Sequence, residues 1–538
     1  MNTKIMIMKK PFSPFLIIFL SLFFLTSAIE AKKKTNVIVI LYDDMGYSDP
    51  EYMGGEALMP NLSKLAKNGV TFLNCMNNAK CAPTRCALMS GMNSMKLDVQ
   101  GEKGGDFIKN NAASVAEVLQ KDGYTTILAG KWHIRTPVLE AGFQYRFGER
   151  YHASYFKDSI RYLMNQDELV DKNTLPDDYY STIAYTDYAM DTVKKQAIDK
   201  EKPFFLYYAV HTPHFNFSAP KEYIDKYKGR YDEGFNVLSE KRYQRMIDKG
   251  IVDPSLYELA PLSHDGEQTK LFHWGDFNSR EQKYFARKLE VIAGMLDIAD
   301  EQVGRLIEML KETGQLDNTM IVFLSDNGAC PVRGTFGGPN PNKANDEMLN
   351  KMGEPGFKSA GDSGTAIAAF QNTPLRGGKQ SLWGGGMRTS MIIHWPEGMT
   401  PDASDGYVRE PVQIMDIAPT IYEATGLKYP NKIGERILDP MDGTSLKPLL
   451  TGGKLPDRDF WFSFRYYRMA RSGKYKAVGF LPNYDKKNAL WQLFDLEKDP
   501  SEMSDLSQSM PEMTEKLKKR ALSLHDKFKK KSKLKKNL

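Results

Sequence analysis

Residues 36–41 read NVIVIL, an unbroken apolar run that is followed by Tyr42 and by the acidic pair Asp43 and Asp44. Four other runs share its β-branched or aromatic character: TTILA at 125–129, PFFLYYAV at 203–210, TMIVFL at 319–324 and SMIIH at 390–394. Continuous rather than alternating runs are typical of strands in a sheet that is covered on both faces. Helical patterns lie between them at 60–68, 114–121 and 280–311. The alternation predicts an α/β fold with a large, mostly parallel central sheet and helices on both faces.

A smaller unit is predicted after residue 450. Strand-like runs at 460–464 and 474–480 precede WQLFDLEKDPSEMSDL and a helical pattern, which indicates a C-terminal α+β subdomain with an antiparallel sheet over 451–538. The larger domain then covers 32–450. The last twelve residues contain seven lysines, which favours a solvated tail, with binding to a polyanion as the alternative.

The composition is that of an ordinary globular protein. The 538 residues include 73 Lys and Arg against 67 Asp and Glu, a net charge of +6, and 41% of them are hydrophobic. These values exclude a disordered, collagen-like or disulfide-scaffold chain. The small positive excess gives no reason to expect a nucleic-acid partner. The 4 cysteines include no CxxC pair, which argues against a zinc ribbon or a thioredoxin-like site.

The first 31 residues have the pattern of a secretory signal peptide. Lys4, Lys9 and Lys10 precede an apolar run at 12–25, and small residues such as Ala28 follow it. No other run reaches the roughly 18 uninterrupted apolar residues that a membrane span needs. The sequence therefore predicts an exported protein, periplasmic or secreted after cleavage, without stable membrane insertion. An uncleaved anchor is the alternative.

Reactive polar residues follow four of the predicted strands at their carboxyl ends. They are Asp43 and Asp44, Lys131 and His133, His211 and His214, and Asp326 and Asn327. In open α/β sheets the ligand crevice lies at this edge. A single aspartate after a strand usually caps the next helix, but the convergence of four clusters predicts a functional site.

The acidic residues are predicted to hold a hard cation. Adjacent carboxylates such as Asp43 and Asp44 repel one another unless a cation lies between them. Together with Asp326 and Asn327 they offer oxygen ligands, which select Ca²⁺ or Mg²⁺ over zinc. Turn and cap roles are the alternative for either pair alone.

Basic side chains complete this predicted site. The three carboxylates contribute three negative charges and a divalent ion two positive ones. Three more positive charges come from Arg85, Lys131 and Lys379, so the site has a surplus of two positive charges. A dry pocket with that surplus suits an anion such as sulfate or phosphate. Structural ion pairs are the alternative for the lysines.

The stretch CAPTRCALMSG at 81–91 predicts a short helix. Pro83 fits its first turn and Gly91 can end it. Cys81 then lies at the positive helix N-terminus, where an oxyanion is stabilised, and Arg85 lies one turn further on. A buried, inert cysteine is the alternative.

Taken together, these motifs resemble the type I sulfatases of the alkaline phosphatase superfamily, particularly arylsulfatase-A-like enzymes. The family signature is Cys-x-Pro-Ser/Thr-Arg followed by Leu and Thr/Ser-Gly, and residues 81–91 satisfy it. The resemblance covers nearly the whole chain after residue 31 and implies an alkaline-phosphatase-like fold. Its other stretches are LYDDMGYSD at Leu41, PNLSKLAKNGVTF at Pro60, GKWHI at Gly130, HTPHFNFSAPKEY at His211, LDNTMIVFLSDNG at Leu316, NTPLRGGKQSLWGGGMR at Asn372 and LFDLEKDPSEMSDL at Leu493.

The resemblance implies a role for each site residue. A separate maturase would convert Cys81 to formylglycine, whose hydrate is the nucleophile. Arg85 and Lys131 would hold the nucleophile and the metal side, and His133 would be the base for sulfate release. Lys379 and a histidine after the third strand would bind sulfate and protonate the leaving oxygen. The implied ligands of the metal, usually Ca²⁺ with Mg²⁺ as the alternative, are Asp43, Asp44, Cys81, Asp326 and Asn327.

Two histidines compete for the role of the leaving-group acid. The family usually has Pro-His here, six residues before the proline of an Ala-Pro. His214 follows Pro213 and precedes Pro220 at that spacing, so His214 is preferred and His211 is the alternative.

The implied function is that of an exported sulfatase, which releases inorganic sulfate from aryl or carbohydrate sulfate monoesters. A phosphonate or phosphate monoester hydrolase of the same superfamily is one alternative. A non-catalytic binder of sulfated glycans is another. The substrate is expected to be a sulfated small molecule or a sulfated glycan, and the segments 263–280 and 328–371 are predicted to shape its subsite.

Overall fold

An eleven-stranded sheet forms the centre of the fold. The computed structural model describes residues 33–99, 104–151, 153–263, 271–357, 360–400, 406–481 and 489–536. The strands of the large sheet are β1 (Asn36–Tyr42), β2 (Val70–Met76), β3 (Thr125–Gly130), β4 (Tyr145–Glu149), β5 (Leu163–Asn165), β6 (Glu168–Leu169), β7 (Phe204–Ala209), β8 (Thr319–Ser325), β9 (Arg388–His394), β10 (Tyr407–Val408) and β11 (Val412–Gln413).

Strand β1 lies in the middle of this sheet, between β7 and β8, and runs parallel to both. Val37 is opposite Phe205 of β7 and Met320 of β8. Strands β3 and β4 extend the parallel part, whereas β9 runs antiparallel between β8 and β2. The mostly parallel α/β sheet predicted from the sequence is therefore confirmed, although the SMIIH run belongs to an antiparallel strand.

Helices cover both faces of the large sheet. They are α1 (Pro60–Lys67), α2 (Cys81–Ser90), α3 (Val115–Lys121), α4 (Ser181–Gln196), α5 (Lys221–Asp225), α6 (Phe235–Asp248), α7 (Ser279–Glu312), α8 (Asp346–Asn350), α9 (Gly364–Gln371), α10 (Gly384–Met387), α11 (Ile417–Thr425) and α12 (Lys447–Leu450). Ile38 and Ile40 of β1 pack in one hydrophobic cluster with Leu289 of α7, whereas Val37 and Val39 pack in a second cluster. Because successive strand side chains point to opposite faces, this double burial explains the continuous VIVI run.

A second, four-stranded sheet lies near the C-terminus, after a two-stranded ribbon of β12 (Lys432–Ile433) and β13 (Arg436–Ile437). Its strands are β14 (Phe460–Phe464), β15 (Tyr467–Ser472), β16 (Tyr475–Phe480) and β17 (Leu490–Asp495), and all are antiparallel. Helix α13 (Pro511–Lys536) packs against this sheet through Leu517 and Ala521 and continues into the lysine-rich segment. The predicted antiparallel C-terminal sheet is confirmed, and the boundary at residue 450 stays a prediction.

Several elements were not expected from the sequence, and strand β2 and helix α9 are two examples. Strand β2 has Asn74 within it, which interrupts the apolar pattern. Helix α9 lies in the segment expected to be a loop, and Ile367 and Phe370 are fully buried there. Ser363 occupies its N-cap position but makes no capping hydrogen bond through its side chain, and the first helical residue is Gly364, which has a low helix propensity.

The predicted signal peptide at 1–31 lies outside the described residues. Among the residues that are described, no helix combines the length and the apolar character needed to cross a bilayer.

Candidate active site

The acidic residues meet where strands β1 and β8 end. The backbone N–H of Asp43 donates to Thr212 O at 2.9 Å, and the N–H of Asp326 donates to Tyr42 O at 3.0 Å. Asp44 has a left-handed backbone with φ of 68°, and its carboxylate accepts from Asn327 Nδ2 at 2.7 Å. Since adjacent parallel strands end at the same edge, two pairs 282 residues apart in sequence become neighbours.

Helix α2 directs Cys81 and Arg85 into the same cluster. The helix begins at Cys81, ends at Gly91 with φ of 68°, and is buried along its whole length. Cys81 Sγ lies 3.4 Å from Asp43 Oδ1. Arg85 donates through Nε to Asp326 Oδ2 at 2.8 Å, and its Nη2 lies 3.4 Å from Asp43 Oδ2. The helix predicted for this stretch is confirmed, with its N-terminus facing the carboxylates.

Two buried lysines approach the adjacent aspartates. Lys131 Nζ lies 2.5 Å from Asp43 Oδ2, and Lys379 Nζ donates to Asp44 Oδ1. Burial alone would raise the pKa of the Asp43 carboxyl, but Lys131 and the other nearby cations hold that pKa well below its usual range. In contrast, burial and repulsion from Asp43 raise the pKa of Asp326 to about 7 despite Arg85. Asp326 is therefore the carboxyl of this cluster whose ionised form the surroundings stabilise least.

The structure separates the two histidines that the sequence left as alternatives. His214 Nε2 lies 3.6 Å from Asp44 Oδ2, so its ring faces the acidic cluster. His211 is fully buried, and its Nδ1 lies 3.9 Å from Glu149 Oε2. The Tyr155 hydroxyl donates to His211 O at 3.0 Å and His214 O at 2.6 Å, which fixes the backbone of this loop.

His133 follows Lys131 by two residues and has a left-handed backbone, with φ of 58°. Its ring packs edge-on against Tyr151 at a centroid distance of 5.7 Å. Burial and the positive charges of Lys131 and Arg85 lower its pKa well below the usual value. A neutral imidazole at this position can accept a proton.

Ligand atoms around Asp43 and Asp44 are close enough together to hold a metal ion. Asp43, Asp44, Cys81 and His214 offer ligand atoms that all lie within 4.8 Å of one another. Asp44 Oδ2 and Asn327 Oδ1 are buried, and neither has a hydrogen-bond partner among the residues that the structure describes. Buried carboxylate and amide oxygens without partners are costly unless a cation binds them.

Some supporting residues were not found by the sequence reasoning. Asn372 Oδ1 accepts from Tyr47 N at 3.4 Å and Ala329 N at 3.1 Å, and so connects the segments after β1 and β8. Tyr155, which fixes the histidine loop, is an isolated tyrosine in sequence. Neither residue lies in a pattern that spacing alone could identify. The predicted subsite segment 263–280 lies partly outside the described residues.

Comparisons with known proteins match this chain to a family. The family model described as Sulfatase matches residues 35–427, and the model described as N-sulphoglucosamine sulphohydrolase, C-terminal, matches residues 378–527. An uncharacterised sulfatase of Schizosaccharomyces pombe is 33% identical over 531 residues, covering 90% of this chain and 92% of that protein. An arylsulfatase of Klebsiella aerogenes is 32% identical over 453 residues, covering 78% of this chain and 92% of that protein.

A solved structure matches the fold as well. The crystal structure of Ps i-CgsB in complex with a neocarrahexaose has a TM-score of 0.63 and 24% identity, and the match covers 91% of this chain and 93% of that one. The two family models together span residues 35–527, which include the large sheet and the four-stranded sheet.

Proposed function

The chain belongs to the sulfatase family and is a sulfuric ester hydrolase, and from this premise we propose that Cys81, as formylglycine, cleaves aryl or carbohydrate sulfate monoesters. One observation carries this proposal. The Cys81 side chain lies at the N-terminus of α2, 3.4 Å from Asp43 Oδ1, within a ring formed by Arg85, Lys131 and Lys379.

An unmodified thiol suits this position poorly. Burial, together with the charges of Asp326 and Asp43, raises the pKa of the Cys81 thiol to about 12. Since the thiolate is the reactive form, an unmodified Cys81 would be nearly inert at neutral pH. The proposed formylglycine, made by a separate maturase, supplies a hydrated aldehyde as the nucleophile.

The proposed metal is Ca²⁺, with Mg²⁺ as the alternative. The metal ion would lie next to Cys81 and would be held by Asp43, Asp44, Asp326 and Asn327. The ion would supply positive charge that neutralises the carboxylates and polarises sulfate oxygens. The unpartnered Asp44 Oδ2 and Asn327 Oδ1 support this assignment.

The remaining side chains of the site position the nucleophile and the sulfate group, and they transfer protons. Lys131 and Arg85 hold the nucleophile side, and Lys379 binds the sulfate group from the other side of Asp44. His214 donates a proton to the leaving alcohol oxygen, and His133 accepts a proton when sulfate is released. Burial and Lys131 lower the pKa of His214 to about 4, so the free protein holds it neutral. A bound sulfate ester adds negative charge beside the ring and favours its protonated form.

The substrate and the compartment are part of this proposal. The Klebsiella relative is an arylsulfatase, and the Ps i-CgsB structure contains a neocarrahexaose. We propose a sulfated aryl compound or glycan as the substrate here. Export is proposed from the signal-peptide pattern at 1–31.

The test is a substrate screen on protein co-expressed with a formylglycine-generating maturase. Inorganic sulfate release would be measured from 4-nitrophenyl sulfate and from a panel of sulfated glycosaminoglycan and algal oligosaccharides. We expect turnover of sulfate esters at rates well above those of matched phosphate and phosphonate esters. Faster hydrolysis of phosphonate esters would support the phosphoryl alternative, and glycan binding with an intact Cys81 thiol would support the non-catalytic one.

A further inference from the structure

A separate cavity of about 490 Å³ lies between the large sheet and the four-stranded sheet. Leu73 and Met76 of β2 and Arg388 of β9 line one side, and Arg471 of β15 and Lys476 of β16 line the other. None of the residues proposed for sulfate ester cleavage lines this cavity. Its size is within the range of small-molecule sites, roughly 300–1,000 Å³.

The buried part of the cavity has an excess of positive charge. Arg388, Arg471 and Lys476 are 9%, 6% and 4% exposed. One buried carboxylate faces them, that of Glu502, whose Oε1 lies 2.5 Å from Lys476 Nζ. Buried cations are normally paired, because an unpaired charge away from water is costly. Within the described ranges, the buried side chains of the cavity therefore offer one carboxylate to three cations.

Arg388 and Arg471 both have unused hydrogen-bonding capacity, since Arg388 Nε and Arg471 Nη1 are buried without a hydrogen-bond partner among the described residues. Arg471 Nε donates to Gly473 O at 2.9 Å, whereas Arg471 Nη1 finds no acceptor in the part of the chain that the structure describes. Burial and repulsion from Arg388 lower the pKa of Arg471 to about 10. Burial also lowers the pKa of Lys476 despite its pairing with Glu502, and Arg471 adds to that effect. An anion among these three groups would relieve the repulsion and satisfy Nη1.

The rim of the cavity opens to solvent. Arg409, Glu410 and Glu497 line it and are exposed. A charged ligand can therefore enter from outside while its anionic group reaches the buried guanidinium groups.

We propose that this cavity is a second anion-binding site, which takes a tetrahedral oxyanion on Arg471, Arg388 and Lys476. Sulfate and phosphate share the required shape and charge, and arginine forks match them with paired hydrogen bonds. The anion is either a free ion or a sulfate group carried by a glycan chain. A cavity of about 490 Å³ has room for a sugar ring as well as the sulfate group.

Binding can be measured by equilibrium dialysis of the full-length protein against radiolabelled inorganic sulfate at constant ionic strength. The Lys379→Ala background weakens sulfate binding at the candidate active site, and we expect one bound sulfate per chain to remain. Adding Arg471→Met should weaken this remaining site roughly tenfold or more, because a charged hydrogen-bond donor is lost. Arg468→Met is the matched control, since Arg468 is buried on the same strand but does not line the cavity.

A variant that binds sulfate more tightly provides a second test, because misfolding could explain weaker binding but not tighter binding. Glu497→Gln removes an exposed rim carboxylate near Arg471 and should tighten sulfate binding severalfold. Sulfate binding that is unchanged in both Arg471→Met and Glu497→Gln would overturn the proposal.

A competition arm identifies the source of the anion. A sulfated hexasaccharide that displaces labelled sulfate at a tenfold lower concentration than unlabelled sulfate would indicate a glycan ligand. Equal potency per sulfate group would indicate a free ion. Both outcomes require the site, so they decide only what it binds.

Discussion

At the scale of single residues, Cys81 carries most of the chemical argument. Its side chain is 1% exposed, and its sulfur contacts two carboxylates. A small buried side chain with such neighbours can be truncated without a large packing loss. Replacing Cys81 therefore tests its role in catalysis without a large change in the stability of the protein.

Cys81→Ala should lower kcat on an aryl sulfate by roughly 10⁴-fold or more, because the nucleophile is lost while the rest of the site stays. The melting temperature should change little. Cys86→Ala is the matched control, since Cys86 is buried on the same helix but accepts only from Gly105 N at 3.2 Å. Steady-state kinetics and thermal unfolding check both variants. Substantial turnover by Cys81→Ala would contradict the nucleophile assignment.

His214→Gln should lower kcat, and the loss should be larger for substrates with poorer leaving groups. A general acid contributes roughly 10²–10⁴-fold for an alcohol that must be protonated and much less for nitrophenol. The measurement compares kcat on a sugar sulfate with kcat on 4-nitrophenyl sulfate. His211→Gln serves as the control, because His211 faces Glu149 rather than Asp44. Leaving-group dependence in His211→Gln alone would reverse the assignment.

At the scale of elements, the candidate metal site joins the ends of β1 and β8. Removal of the ion would leave the Asp43, Asp44 and Asp326 carboxylates close together in a buried site. A chelator should therefore reduce turnover and lower the unfolding free energy by about 3–4 kcal/mol, the value for an ion present at 100–1,000 times its Kd. Readdition of Ca²⁺ or Mg²⁺ shows which ion restores the rate. Full turnover by protein that atomic absorption shows to be metal-free would exclude the proposed role.

Asp300 of α7 caps a different helix. Its carboxylate accepts from the backbone N–H groups of Asn61 at 2.9 Å and Leu62 at 2.8 Å, at the start of α1, which has no side-chain cap of its own. Asp300→Ala should lower the unfolding free energy by about 1–2 kcal/mol in urea titrations, because these N–H groups lose their acceptor. Glu301→Ala is the exposed neighbouring control. Equal stability of the two variants would show that the cap contributes nothing.

The elements that the sequence predicted best are those whose burial is visible in the pattern. The runs at 36–41 and 319–324 became β1 and β8 with one added residue each. Helix α9 was missed because its stability comes from burial of Ile367 and Phe370 rather than from a capping hydrogen bond at its start. The antiparallel direction of β9 could not be predicted either, because an apolar run does not indicate which strands it pairs with.

At the scale of the whole molecule, Glu502 links the C-terminal part to the segment that carries Lys379. Its carboxylate accepts from Gly384 N–H at the start of α10, and its backbone carbonyl accepts from Arg376 Nη1 at 2.9 Å. Lys379 lies between these two points in sequence. The contacts of Glu502 thus help to hold the segment that carries Lys379 in place. We therefore regard Glu502 as a positioning residue.

Glu502→Ala should lower kcat roughly tenfold to a hundredfold, since small displacements of a positioned group have effects of that size. Glu502→Gln keeps an acceptor for Gly384 N–H and should recover most of the rate. Glu512→Ala, an exposed change at the start of α13, is the control. Identical kinetics for the Ala and Gln variants would argue against a positioning role.

Much of the candidate site could be predicted from residue types that follow strands, because a parallel sheet brings their carboxyl ends together. Asp43, Asp44, Asp326 and Asn327 are of this kind. Glu502 and Tyr155 could not be found in that way, since each acts through a contact that depends on the tertiary fold. The choice between His211 and His214 as the acid stays a prediction until it is measured.

The depth of Cys81 has a consequence for the order of biosynthesis. Helix α2 is buried from Cys81 to Ser90, so in the finished fold a second protein cannot reach the thiol. If Cys81 is converted as proposed, the maturase would therefore have to act on the nascent or unfolded chain. Pulse labelling should find the conversion complete before protease resistance develops, and chains that fold first would remain permanently unconverted.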